Sequence, residues 1–412
     1  MEKEIHGREK LYRMILYLIM IMNTLLMTVV SGIKPVLTLY ASSIGVSAAQ
    51  ISIIVAAFPF LPVFLSVLAG KWVDRYGMRN MLILGSVGFL GALLLTVFFP
   101  VFGVLVLQQA LLGVAFSFYM LSLQKRVGSL KGDVERAIAN FSMTGSLGGM
   151  IGPVVSSWIY EHYDFQVMLA ANICIIGIVL LMVLGIKRTV WDSSPSDTTG
   201  KRKQVSEEQS PPHTEKTSVW HMMRNRKLRN AILISGLVLS NRELFSAYFP
   251  LLGSQMGLSP TQIGAILSVS ALASLVVRLS QSALVHTFGR MNVLMWSLYI
   301  SGVVYLLIPF TPWLVLLGVL VGVLGAGLGL GQPLSLSYTI QVSPADRRGE
   351  VLGLRITVNR TAQFAIPVLF GGIGGLVGVT AIFAATGAVL MLVGYLTRPL
   401  PAERYETDRE DA

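Results

Sequence analysis

The chain repeats one pattern from end to end: an apolar run of about twenty residues, a short polar cluster, then another apolar run. "ISIIVAAFPFLPVFLSVLAG" (51–70) and "MLILGSVGFLGALLLTVFFP" (81–100) are two such runs, with "KWVDRYGMRN" (71–80) between them. Twelve runs can be marked. Their limits fall near 14–40, 48–69, 80–100, 102–124, 138–159 and 166–187, then 229–252, 260–283, 291–310, 313–339, 350–374 and 377–397. About 20 residues at 1.5 Å each cross the hydrocarbon layer, so each run predicts a membrane-spanning helix. The runs are too long for barrel strands and lack two-residue alternation. The pattern therefore predicts an all-α membrane protein.

Composition agrees. Of 412 residues, 53% are hydrophobic and only 13% charged, against about 25% charged in a soluble domain. Forty glycines suit helices that approach closely in lipid. The formal charge of +11 raises nucleic acid as a partner, but the basic residues sit in short loops between runs, and no nucleic acid is expected. Cys174 is the single cysteine, which excludes an intramolecular disulfide and a cysteine metal cluster. It stands in an apolar run, where buried packing is expected. Met14 to Tyr40 follows a basic tail as a signal peptide would, yet it is far too long and ends in no A-x-A-like site, so it is read as a retained span.

The connections near 41–47, 101, 160–165, 253–259, 311–312 and 375–376 contain no Lys or Arg. Lys34, Arg242, Arg278 and Arg360 lie within spans, and the other basic residues fall on the opposite side or at its edge. The positive-inside rule makes that side cytoplasmic, with both termini inside a cell membrane. Residues 1–13 and 398–412 are then cytoplasmic tails, 14–187 and 229–397 are six-helix bundles, and 188–228 is a linker. The linker's "SSPSDTTGKRKQVSEEQSPPHTEK" cannot bury a core and predicts disorder. "VWHMMRNRKLRN" at its end predicts a short helix on the inner membrane surface.

The halves repeat each other. "SSIGVSAAQI" (42–51) aligns with "SQMGLSPTQI" (254–263) at an offset of 212, which also pairs Gly77 with Gly289, Asn80 with Asn292 and Gly113 with Gly325. Pro153 and Pro367 lie 214 apart. One six-helix unit used twice in parallel explains the repetition.

Two motifs carry a resemblance. "GKWVDRYGMRN" resembles the loop signature between spans two and three of the major facilitator superfamily, with Gly70, Asp74, Arg75, Gly77 and Arg79 in place and Met78 where an arginine is usual. "SALVHTFGRMN" (282–292) is its relic in the second half. In span five, Gly145, Gly148, Gly149, Gly152 and Pro153 resemble the family's antiporter signature, closed here by Ser156 and Ser157. The resemblance implies two pseudo-symmetric six-helix bundles and a secondary transporter that works as a monomer without a cofactor. It also implies that the loop is a cytoplasmic latch, with Gly70 allowing close helix approach and Asp74 meeting the positive N-terminal end of span eleven. The antiporter-type motif implies export. The family's span-four arginine is absent; counting back four from Gly113 gives Gln109.

"GAGLGLG" (325–331) is not a nucleotide loop: it lies inside an apolar span, with no strand before it and no lysine after it. No catalytic constellation is present, so an enzyme is not expected. Ionisable residues within a membrane are costly and usually face a cavity. Lys34, Arg242 and Arg360 stand against one interior acid, Glu243, in spans that line the central cavity in the resembling family. That balance predicts a small anionic or zwitterionic organic substrate, such as a siderophore, or a drug-like compound. Lys34, Arg242 and Arg360 are the candidate binding residues, and Glu243 is the candidate carrier of a coupling proton. Arg278, near the inner end of span eight, is expected to snorkel. Import remains open, as does a non-transporting membrane sensor.

Overall fold

The computed structural model describes residues 2–129, 134–186, 188, 191, 226–343 and 348–396. Among these residues all regular structure is helical. Spans one to six are Glu2–Ser43, Ala48–Tyr76, Met78–Phe98, Phe102–Gly128, Val134–His162 and Phe165–Gly185. Span seven is Arg226–Gln255. Span eight breaks at Ser280 into Pro260–Leu279 and Gln281–Phe288. Span nine is Arg290–Leu307, followed by a 3-10 turn, Ile308–Phe310. Spans ten to twelve are Leu314–Gln341, Arg348–Val377 and Val379–Leu396. The span-one helix reaches back into the stretch expected as a tail. The polar linker and the C-terminal tail lie outside the described residues, as does most of the expected surface helix; span seven already runs from Arg226.

Ten of the helices are long and apolar enough to cross a membrane by length and composition alone. Spans five and seven are the two that are not. Span five is interrupted by glycine and serine, and span seven carries Asn241, Arg242 and Glu243 at its centre. Both are lined by protein on several sides: span five lies against spans one and eight, span seven against spans one, ten and eleven. Protein contact in place of lipid is what lets a spanning helix carry polar groups.

The internal repeat is visible in atomic detail. Ser47 and Gln50 form a capping box at the start of span two, and Ser259 with Gln262 form the same box at span eight. Gly77 (φ 86°) and Gly289 (φ 74°) turn the chain from span two to three and from eight to nine in a region open to glycine. Just past each turn, the Asn80 and Asn292 side chains donate to Tyr76 O and Phe288 O. A side chain at Gly113 would strike the Phe58 carbonyl, and one at Gly325 would strike that of Ser270. Both contacted residues are also 212 apart. Packing follows suit: spans one on five, two on four, three on four and three on six are matched by seven on eleven, eight on ten, nine on ten and nine on twelve.

The halves meet along span five with span eight, span two with span eleven, and span one with span seven. Ser268 donates to Met150 O at 2.6 Å, and Ser259 and Thr261 bond Glu161. On the other flank the Ser52 hydroxyl bonds the Tyr248 hydroxyl, and Phe60 packs on Phe364 at 5.1 Å. These contacts lie from the middle of the helices toward the end whose loops lack basic residues, here called the far end.

Candidate functional site

At the centre of this closure, span one meets span seven. Lys34 Nζ donates to Glu243 Oε2 at 2.6 Å, and both side chains are about three-quarters buried. The ammonium also lies 4.9 Å from the Phe58 ring centroid, close enough for a cation–π attraction. Leu37, Thr38, Val55, Gln109 and Ala247 complete the walls of a small cavity there, of ≈ 20 Å³. That volume holds a water and no organic solute. Gln109 is buried, and its amide nitrogen has no hydrogen-bond partner among the described residues. The span-one-to-seven ion pair joins residues 209 apart, and no local sequence pattern could have paired them.

The other interior cations are not held by acids among the described residues. Arg360 donates to Gln363, one turn on, at 3.2 Å. Arg242 is exposed and makes no hydrogen bond or ion pair among the described residues. Arg278 does more than snorkel: its Nε donates to Gly329 O at 3.1 Å, tying span eight to span ten. Arg355 was missed by the sequence reading, which left it at the edge of span eleven. It is 7% exposed, and its Nη2 donates to Gln332 O, Gln332 Oε1 and Ser335 Oγ. Gln332 in turn donates to Ser235 O, and Ser235 to Asn359. The signal for Arg355 was its position five residues after the expected start of span eleven at 350, more than a turn inside the helix.

Span five presents two working faces. Gly145, Gly148 and Gly152 face span one: a side chain at Gly148 or Gly152 would collide with Thr24 O or Thr28 O, and a Cβ on Gly145 would lie 3.2 Å from the Asn23 side chain. The close approach lets Asn23 donate to Phe141 O at 2.8 Å and Ser31 to Gly148 O at 3.2 Å. Pro153 and Ser157 face span eight instead: a Cβ on Gly264 would lie 2.5 Å from Pro153 O and 2.8 Å from Ser157. Gly149 belongs to neither face. A side chain there meets nothing within 4 Å, so its expected place in the packing groove is corrected: at 100° per residue it points away from the surface that Gly148 presents.

The loop signature makes other contacts here. Among the described residues the Asp74 carboxylate accepts from Lys125 of span four at 2.6 Å rather than from span eleven, and both side chains are exposed. A Cβ built on Gly70 would meet nothing within 4 Å among the described residues. The physical reason is that the contacts between spans two and eleven described above lie toward the far end. Arg79 donates to Leu184 O of span six at 3.1 Å, and Arg75 lies over the Tyr76 ring. Gly77 supplies the positive-φ turn. Cys174, expected to be buried, is exposed on the surface of span six, where only apolar character is required.

Two six-helix bundles related by an internal repeat, with an ion pair where they meet, define a membrane transporter architecture. The Major Facilitator Superfamily profile matches residues 16–241 and 231–412. The chain belongs to that family. It is 20% identical over 89% of its length to an uncharacterized MFS-type transporter, MJ1560, of Methanocaldococcus jannaschii, covering 93% of that protein. It is 22% identical over 82% of its length to the quinolone resistance protein NorA of Staphylococcus aureus, covering 84% of it. Among solved structures, the nucleoside transporter NupG superposes with TM-score 0.72 at 13% identity, over 93% of this chain and 98% of that one. A D-xylose–proton symporter superposes with TM-score 0.71 at 14% identity, over 93% and 97%. At these identities the structural likeness speaks for the fold alone.

Proposed function

We propose that the chain is a secondary active transporter of the cell membrane that works by alternating access, exporting a small anionic or zwitterionic organic compound in exchange for protons. The observation that carries this reading is the Lys34–Glu243 pair across the two halves. It is a breakable charge contact between the two bodies that must separate. A substrate anion reaching Lys34, Arg242 or Arg360 competes with Glu243 for positive charge, and a proton on Glu243 releases Lys34 in the same way. Binding and protonation therefore act on one interaction, which is the requirement for coupling them. With the basic end taken as cytoplasmic, the far-end closure corresponds to an inward-facing form. The Asp74–Lys125 pair is then the resting position of the latch, which would engage span eleven only when the inner side shuts.

The relative named for quinolone resistance favours outward movement of drug-like compounds. A symporter among the structural neighbours favours import as the second reading. The test is substrate profiling of cells with and without the protein, followed by uptake into inverted vesicles with and without an imposed pH gradient. Glu243→Gln is expected to keep substrate binding and lose the response to the gradient. An unchanged response would place the coupling proton elsewhere.

A further inference from the structure

Glu161 lies one residue from the end of span five, beyond its apolar stretch, and reaches across to the other half of the molecule. Its Oε2 accepts the Thr261 backbone N–H at 2.7 Å and the Ser259 hydroxyl at 3.0 Å. Ser259 is the N-cap of span eight, and Thr261 is in its first turn. The first N–H groups of a helix have no partner within the helix and carry its positive end. Ser259 already caps Gln262 N–H. Glu161 takes a further orphan donor, from outside, on behalf of a different bundle. At the pseudo-symmetric seam the matching position holds a glycine. Gly375 of span eleven, 214 positions on from Glu161, sits over Ala49 at the start of span two, the residue 212 before Thr261. The repeat thus conserves the seat, a span end resting on the first turn of a helix from the opposite half, and only one of the two seats holds a carboxylate.

We infer that Glu161 is the far-end gating residue of the transport cycle: a carboxylate that holds spans five and eight together in the closed form and lets go when that end opens. The inference rests on the alternating-access reading above. It gives Glu161 a role that depends on state, since the two bonds exist only while the halves touch. Among the described residues Glu161 is the carboxylate bonded to the start of span eight. The start of span eight offers Ser259, Pro260, Thr261 and Gln262, none of them charged. On the span-five side stand His162, whose Nδ1 contacts Trp158 O, with Tyr160, Tyr163 and Asp164, and Asp164 caps span six at Val167. Thr261, and less so Ser259, hold the Glu161 carboxyl below its usual range. A depressed pKa in the closed form means that the contact is in place at neutral pH and is lost only as pH falls through that lowered value, below the ordinary carboxylate pKa of about 4.3.

The experiment uses the full chain in lipid nanodiscs with Cys174→Ser. Spin labels go at the pseudo-equivalent exposed pair Phe98 and Phe310 at the far end, and at Tyr76 and Phe288 at the basic end. Distance distributions at neutral pH are compared for the parent, Glu161→Gln and Glu161→Ala. Glu161→Ala removes both bonds and is expected to raise the open-to-closed ratio at the far end about fivefold, with the basic end closing in step. Glu161→Gln keeps an acceptor oxygen and loses the charge, for about a twofold rise. Unchanged distributions in both variants overturn the inference. So does a fall in melting temperature without a population shift, which would make Glu161 a static staple. If the parent moves no solute in any vesicle assay, the transporter reading itself fails; transport with unmoved distances sinks only the gate.

Discussion

The two seams that close the far end differ in an instructive way. Where span five crosses span eight, glycine is on span eight, at Gly264, and the opposing small residue is Ser157. Where span two crosses span eleven, glycine is on span eleven, at Gly371, and the opposing residue is Ser52. Ser52 is the repeat partner of Gly264, and Gly371 that of Ser157, at offsets of 212 and 214. The glycine and serine have changed places. Duplication preserved the requirement for one residue without a side chain at each crossing, and it did not preserve which helix supplies it. Two backbones approaching this closely leave room for one Cβ, and either helix can give up its own.

The largest effect is expected from breaking that complementarity on one seam. Gly264→Ser places two side chains where one fits, against Pro153 O, and overpacking of this kind costs about 1–3 kcal/mol. The far end should then populate its open form at least about tenfold more, read from the Phe98–Phe310 distance. Adding Ser157→Gly reproduces the arrangement of the other seam and should restore most of the closed population. If the double variant stays as open as the single one, Pro153 O and not Ser157 sets the spacing, and the two seams are not equivalent.

A smaller effect is expected from the polar side of the second seam. Tyr248 donates to Pro367 O at 3.3 Å and pairs with Ser52, so one hydroxyl from span seven joins spans two and eleven. Tyr248→Phe keeps the ring packed and removes both bonds, for about 1 kcal/mol, or roughly a fivefold change in the closed-to-open ratio. The measurement is the same distance pair, with melting temperature as a check on the fold. A loss of stability without a shift toward the open form would assign Tyr248 to the C-terminal bundle alone.

Much of this was legible in the sequence. The offset of 212 already paired Gly45, Ser47 and Gln50 with Gly257, Ser259 and Gln262, and the structure shows those residues making identical caps and turns. Apolar runs set the spans because a membrane demands continuous apolar length, whatever the packing. What the sequence could not show is which face of each helix meets which neighbour. Gly148, Gly149 and Gly152 look alike in a motif, yet only Gly148 and Gly152 touch span one. Asp74 could be placed near a helix start by resemblance, but its pairing with Lys125 of span four depends on helix packing that the motif does not carry. Glu161 stands in an exposed position, and a carboxylate beside water gives no pattern that distinguishes a contact with the other half from a solvated side chain. Lys34 and Glu243 were both singled out as costly charges, while their pairing arises only once two separate bundles are docked.

The smallest effect tests whether the second seat can be given what the first one has. Gly375 is exposed on span eleven, two residues from the end of the helix, and a Cβ built on it lies 3.0 Å from Ala49 Cβ and 3.8 Å from Ala49 N. Gly375→Glu would put a carboxylate beside the first turn of span two, in the relation that Glu161 has to span eight. The added charge near a helix N-terminus is worth about 0.3–1 kcal/mol when exposed, and replacing a helical glycine adds a comparable amount that is the same in both states. The Cβ contact with Ala49 requires a shift of a few tenths of an ångström, which offsets part of the gain. The net expectation is a rise of about twofold in the closed population at the far end, and partial correction of Glu161→Ala when the two changes are combined. The combination is the sharper measurement. Correction in the double variant means that either seat can gate the far end. Closure gained in the Glu161 background but not in the Glu161→Ala background means that the carboxylate at span eight has a role that its repeat partner cannot take.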